Sequence, residues 1–189
     1  MFRIKRPMQN LLKAIMSLGL TILLMVSPAL ADRDSNSFDG NIYPIYAGNG
    51  SLVPPITTLA QSLREERTSV IVYYLDDSST SKIFAPVVSG IQLIWGRTID
   101  LIPLTTDELQ GRVSNDPSDP AYYWHGNIPQ VVVIDGQGHV LLDQEGQVSL
   151  EKINKVISAS TGISTPDVPL SIDSINEFNF ELTSEPISE

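Results

Sequence analysis

The stretch that decides the fold is residues 70–86, which reads VIVYYLDDSSTSKIFAP. Its first five residues are β-branched or aromatic, the composition of a strand that is buried in a parallel sheet. Apolar residues then recur at helical spacing from Ile83 to Trp95, so a helix is predicted, and Pro86 inside it is expected to kink it. A buried strand that leads through a short polar turn into a helix predicts an α/β fold.

The segments on either side complete this pattern. Pro54-Pro55 opens a predicted amphipathic helix, and a second buried-type strand covers residues 98–104. A β-hairpin is predicted over residues 130–143, and a last helix over residues 149–159 with Ser149 as its N-cap. The first two strands are therefore expected side by side and parallel in a central mixed sheet, because such crossovers are right-handed.

Residues 1–31 have the layout of an export signal. Arg3, Lys5 and Arg6 precede an apolar run that ends in a small-x-small pattern at Ala31. Cleavage after Ala31 is the first interpretation, and an uncleaved membrane anchor is the alternative, since the run is long enough for one. In either case the rest of the chain is expected on the far side of a membrane.

Composition argues against certain binding partners and excludes thiol chemistry. The 189-residue chain has 22 acidic and 12 basic residues, a formal net charge of −10 and no cysteine. Nucleic acids and anionic lipids would repel so acidic a protein. Without cysteine the chain can carry no dithiol, disulfide or thiolate nucleophile.

A second motif lies farther along the chain. Gly126-Asn127-Ile128-Pro129 precedes the predicted strand at 130–134, and Asp135-Gly136-Gln137-Gly138 forms the predicted hairpin turn. With the first motif, it gives the chain a resemblance to the thioredoxin superfamily. A thioredoxin has a buried strand, then Cys-Gly-Pro-Cys-Lys, two apolar residues and Ala-Pro, and later a cis proline before a strand. The resemblance covers about residues 51–159 and implies a thioredoxin-like fold, a βαβ unit followed by ββα with helices on both sides of the sheet.

The resemblance also implies where a site would lie. Ser78 and Ser81 stand where the two cysteines would be. We call the positions that match the family's active site the relic site: Ser78, Ser81, Lys82, Pro86, Ile128 and Pro129. The partner-binding rim is expected at the aromatic run Tyr122, Tyr123, Trp124 and His125. Tyrosine and tryptophan on irregular loops are frequent interface anchors, although the same rings can instead cover the sheet as core.

The export signal, the acidic balance and Ser-x-x-Ser are also similar to thioredoxin-like proteins of cyanobacterial and plastid thylakoids. This implies a redox-inactive binding module without a cofactor, in the thylakoid lumen or at the lumenal face of the membrane, with the periplasm as the alternative. The implied role is assembly or stabilisation of a photosynthetic membrane complex. The implied partners are proteins, such as photosystem subunits or biogenesis factors, and the N-terminal segment offers a possible membrane attachment.

Two alternatives stay open from the residues. Ser78 with His125 as its base is the pair that a cysteine-independent hydrolase or isomerase would use, because a serine hydroxyl needs an adjacent base. A third reading has the protein hold a thiol substrate non-covalently for another enzyme. No metal is expected, because Asp76, Asp77, His125 and Asp135 have no known ligand spacing.

The predicted domain division follows from these features. Residues 1–31 are the signal or anchor, 32–50 a polar linker, 51–159 the thioredoxin-like domain and 160–189 an acidic tail that contains Ser and Pro. Within the tail, apolar residues interrupt the acidic segment 172–182, which could dock on a partner or on its own domain.

Overall fold

The computed structural model describes Met16 and residues 32–165 of the chain. The elements in chain order are α1 (Ile42–Ala47), α2 (Leu59–Arg64), β1 (Ser69–Tyr74), α3 (Ser79–Trp95), β2 (Asp100–Thr105), two short 3-10 turns (Thr106–Leu109 and Pro120–Tyr122), β3 (Gln130–Ile134), β4 (Val140–Glu145) and α4 (Leu150–Thr161).

The four strands form one mixed sheet in the order β2-β1-β3-β4. β1 and β2 are parallel and joined by α3, whereas β3 is antiparallel to both β1 and β4. A βαβ unit, a β-hairpin and a closing helix are the thioredoxin topology. The predicted α/β, thioredoxin-like fold is therefore confirmed.

Helices and loops cover both faces of the sheet, because successive strand residues point to opposite sides. On one face, Val70, Val72, Val131 and Val133 pack beneath α1, α3 and α4. The other face packs against α2, the two 3-10 turns and the residue after the second turn. Its buried residues are Ile71, Tyr73, Ile102, Val132, Ile134, Leu59, Leu109, Ala121 and Tyr123.

Residues 32–50 do not form the expected linker. Ile42–Ala47 is a helix, and its Ile42 and Tyr43 side chains are wholly buried. The Asn and Gly residues that suggested a linker instead end this helix: the Asn41 side chain accepts from the Tyr43 amide, and Gly48 is a left-handed C-cap. Residues 32–50 therefore belong to the folded domain, which was predicted to start at residue 51.

Two other helix boundaries also differ from expectation. The helix predicted to open at Pro54-Pro55 begins only at Leu59, where Thr58 caps it, and Ile56 is 94% exposed. The last helix continues beyond residue 159 to Thr161, where Gly162 adopts the left-handed conformation that ends it. Its predicted N-cap, Ser149, is confirmed.

Within residues 32–165, no helix combines the length and the apolar character needed to cross a membrane. Apart from Met16, the predicted signal or anchor lies outside the described residues, and so does the tail beyond residue 165.

Candidate functional site

The two sequence motifs meet at the carboxyl end of β1. The first turn of α3 lies beside the loop before β3, where the Thr80 hydroxyl donates to the Ile128 carbonyl over 3.4 Å. The Gln147 side chain donates to the Thr80 carbonyl over 2.8 Å and so joins the loop after β4 to the same turn. The Ile128-Pro129 peptide bond is cis, Pro129 is buried and Ile128 is half-buried.

Both serines of the relic site make local structural bonds. The Ser78 hydroxyl accepts from the Ser81 amide as the N-cap of α3 and shares a 2.8 Å hydrogen bond with Thr80. The Ser81 hydroxyl is buried and accepts from the Leu75 amide over 3.1 Å. The serines thus fix the turn between β1 and α3, and within residues 32–165 neither hydroxyl is hydrogen-bonded to a histidine or a carboxylate.

Lys82 is the most unusual residue of the relic site, because its side chain is wholly buried. Its ammonium group binds residues 32–40, which we call the strap: it is ion-paired with the Asp39 carboxylate. It also donates to the carbonyls of Asp32 and Ser35, each over 3.1 Å, and to the Ser37 hydroxyl over 3.3 Å. A buried ammonium is stable only when it is paired and hydrogen-bonded, so Lys82 requires the strap.

The charges of this pair stabilise each other. Burial disfavours the charged form of Lys82, but the hydrogen bond and charge of Asp39 outweigh burial and raise the Lys82 pKa. The hydrogen bond from Lys82 is the main cause that lowers the Asp39 pKa. The Tyr46 hydroxyl adds a 2.6 Å hydrogen bond to the same carboxylate, so both partners are charged at neutral pH.

The strap also covers the N-terminus of α3. The Ser79 amide donates to the Asn36 side chain over 2.9 Å, and the Arg33 guanidinium donates to the Ile83 carbonyl over 3.3 Å. In a working thioredoxin this helix end stabilises the thiolate through its free amides and its dipole. Here the amides of Ser79 and Ser81 already have partners within the chain.

Asp76 binds the start of α1, directly after the strap. Its carboxylate accepts from the Ile42 amide over 3.0 Å, at the start of α1. Burial is the main cause that raises the Asp76 pKa, and the nearby Asp107 and Asp77 raise it further. Asp76 is therefore a structural acceptor for the polypeptide that leads into α1.

The structure divides the predicted aromatic rim. Tyr122 is 49% exposed, whereas Tyr123 is 4% exposed and donates to the Pro117 carbonyl over 2.9 Å. Trp124 is half-buried, with its ring 5.2 Å from the ring of Tyr73. The expectation that Tyr123 lies at the rim is corrected: its ring is buried and packs edge-to-face, 4.8 Å away, against the ring of the exposed Tyr122.

His125 does not face Ser78. Its Nε2 atom forms a 2.7 Å hydrogen bond with Asp143 of β4, and Asp143 also accepts from the Gln130 side chain over 2.8 Å. No hydrogen bond joins Ser78 to His125 in the part of the chain that the structure describes. His125 is thus paired with Asp143 and not with Ser78, as the alternative hydrolase or isomerase would need. Among residues 32–165 no group of three or more metal-binding side chains comes together.

The strap belongs to this site, which the sequence did not predict. Its residues show neither helical nor alternating periodicity, so nothing local predicts that they pack. The residue that could have indicated the strap is Lys82, a cation between Ser81 and the apolar Ile83 on a helix that the fold buries. A buried lysine predicts a carboxylate partner elsewhere in the chain, although not which one.

Comparisons with known proteins give a relative in sequence and a likeness in structure. No family model matches the chain. The chain is 35% identical over 156 residues to "Thylakoid membrane protein slr1796" of Synechocystis sp., across 82% of this chain and 78% of that protein. A mutant thioredoxin from Halobacterium salinarum superposes with a TM-score of 0.43 and 14% identity, over 55% of this chain and 82% of the thioredoxin. The fold assignment above rests on strand order and connectivity, and not on this superposition.

Proposed function

Because the chain belongs to the family of the Synechocystis thylakoid membrane protein, we propose that it is a redox-inactive, thioredoxin-like binding module of the thylakoid. It acts on the lumenal side as an assembly or stabilising factor for a membrane complex such as a photosystem. The observation that carries the proposal is an organised relic site without a reactive group. The helix end and the cis-proline loop are held together, while both serines are engaged in structural bonds.

Thiol–disulfide exchange by this chain itself is excluded by composition. Exchange needs a thiolate that attacks a disulfide sulfur, and the sequence has no cysteine. Any contact between this site and a partner is therefore non-covalent. A thioredoxin-like surface without thiols can therefore serve for binding alone.

The surface offered to a partner lies beside the cis proline. Tyr122, His125 and Asn127 are exposed there, and Ile128 is half-buried. The Ile128 amide donates to no atom of residues 32–165. In thioredoxins the backbone at this position pairs with an extended segment of the partner, and such strand-like pairing needs no sulfur. A protein segment is therefore the partner that fits this surface.

Affinity purification tests the proposal. The tagged full chain is expressed in Synechocystis and purified from gently solubilised thylakoids, and co-purifying subunits are quantified by mass spectrometry. We expect recovery of subunits of a membrane complex, reduced about tenfold or more by the double variant Tyr122→Ala with Ile128→Ala. Ile56→Ala is the matched control, since Ile56 is exposed and lies outside the relic site. Equal recovery with all variants, or no specific partner, contradicts the proposal.

A further inference from the structure

A second concave site lies at the opposite end of β1 and β3 from the relic site. It is an open cleft of about 870 Å³ between the start of β1, the hairpin turn and the end of α4. Residues that line it include Arg67, Thr68, Leu141, Lys155, Val156 and Ile163. Its volume is within the range of protein binding sites, about 300–1,000 Å³.

The cleft combines exposed apolar side chains with charged side chains of both signs. Leu141 is 39% exposed and Ile163 is 48% exposed, although both are large apolar side chains, and Val156 lies half-buried with them. Lys155 is exposed, and Arg67 is bound to Asp100 over 3.0 Å. The acidic lining residues are Glu66 and Asp135, and Asp135 is turned to the ring and amide of His139.

At the rim of the cleft, the hairpin turn lies in close contact with the turn before β1. A Cβ atom at Gly136 would lie 2.1 Å from the Glu66 carbonyl oxygen, so only glycine fits there. Glu66 itself has a φ of +53°, a conformation that non-glycine residues adopt rarely. The hairpin turn is therefore held against the turn before β1, and the cleft is formed before anything binds in it.

The chain supplies its own occupant for this cleft. The described structure ends at residue 165, just beyond Ile163 on the cleft wall, and residues 166–189 follow directly. These residues contain Asp and Glu but no Lys or Arg. Their large apolar side chains include Ile172, Ile175, Phe178, Phe180 and Leu182. We propose that the segment 172–182 binds in this cleft, with its apolar side chains on Leu141, Val156 and Ile163.

The tether and the charges favour this occupant. Residues 165–171 span up to about 25 Å when extended, enough to turn back along the cleft. A segment tethered so closely has an effective concentration on the order of millimolar, so a weak contact suffices. Glu177 and Glu181, the acidic residues that flank the aromatic pair, suit the exposed cation Lys155, whereas Arg67 is already paired with Asp100.

Photocrosslinking of the full chain tests the proposal. The analogue p-benzoylphenylalanine replaces Phe180, the full chain is irradiated in detergent micelles, and the adduct is located by mass spectrometry after digestion. We expect an adduct within one chain to peptides that carry Leu141, Val156 or Ile163. An adduct to the relic site, to a second copy or to detergent, or no adduct, overturns the proposal.

A second test compares a charge introduced inside the cleft with the same charge introduced beside it. Leu141→Asp places a carboxylate in the apolar floor and should reduce the internal adduct about tenfold. Val140→Asp places the same charge one residue away, on a side chain that is 46% exposed and does not line the cleft, and should leave the yield unchanged. Circular dichroism of both variants checks that they fold. Equal yields from both variants also overturn the proposal.

Discussion

At the scale of single residues, Lys82 decides how the relic site is built. In the comparison with the thioredoxin motif, this lysine is simply the residue that follows the second cysteine position. In the structure, its ammonium group is buried and every acceptor that it uses belongs to the strap. Lys82, at a position that matches the family's active site, therefore anchors the strap to the rest of the domain.

Removing the carboxylate from this pair should be more harmful than removing both charges. Asp39→Ala leaves the Lys82 ammonium buried without its counter-charge, so we expect a clear fall in the thermal unfolding temperature. The double variant Asp39→Ala with Lys82→Met should be more stable than Asp39→Ala alone. Asp34→Ala, an exposed strap position, is the control and should change little. A double variant that is no more stable than the single one contradicts the buried-charge explanation.

The same pair predicts a dependence on pH. The Asp39 pKa is lowered from its ordinary value of 3.8, so its stabilising contribution is present above that value and lost as pH falls through the lower folded pKa. The Lys82 pKa is raised, so its contribution is present below 10.5 and lost only above the raised folded pKa. The stability difference between the native chain and Asp39→Ala should be flat around neutral pH and shrink as the pH falls below 3.8. Unfolding by urea across this range measures it, and a difference that peaks in acid would count against the assignment.

Tyr122 and Tyr123 should separate binding from stability. Tyr123→Ala empties a buried site and is expected to lower the free energy of unfolding by about 3–5 kcal/mol. Tyr122→Ala, at an exposed neighbour, should cost less than about 1 kcal/mol. Denaturant unfolding of the two variants gives both values. Similar losses from both variants would contradict the assignment of Tyr123 to the core and of Tyr122 to the surface.

At the scale of elements, α3 owes its N-terminus to two separate caps. Ser78 caps it from within the turn, and Asn36 caps it from the strap. The sequence predicts the first cap, because a serine directly before a helical pattern is a common start signal. It does not predict the second, because Asn36 and Ser79 are joined only by the tertiary fold.

Each cap should contribute a similar amount of stability. Ser78→Ala and Asn36→Ala are each expected to cost about 1 kcal/mol of unfolding free energy. Asn36→Asp should retain the cap, because a carboxylate also accepts from the helix amides and suits the helix dipole. Urea unfolding of the three variants tests this. If Asn36→Ala is neutral while Ser78→Ala is not, the strap does not stabilise the helix.

At the scale of the whole molecule, the sequence could predict the sheet and the position of the site but not what covers it. The strand runs, the turn at 135–138 and the spacing of the two motifs all depend on local pattern, and the structure has them where they were predicted. The strap and the burial of Tyr123 depend on contacts between distant residues. The Lys82–Asp39 pair spans 43 positions, and no periodicity in the strap reveals it.

The central claim is that the relic site binds a protein partner without thiol chemistry. The most direct measurement places p-benzoylphenylalanine at Tyr122 of the full chain in Synechocystis thylakoids and irradiates the membranes before and after alkylation of all thiols. We predict an adduct with a subunit of a membrane complex, in equal yield under both conditions. Absence of any protein adduct, or an adduct that disappears when thiols are blocked, would contradict it.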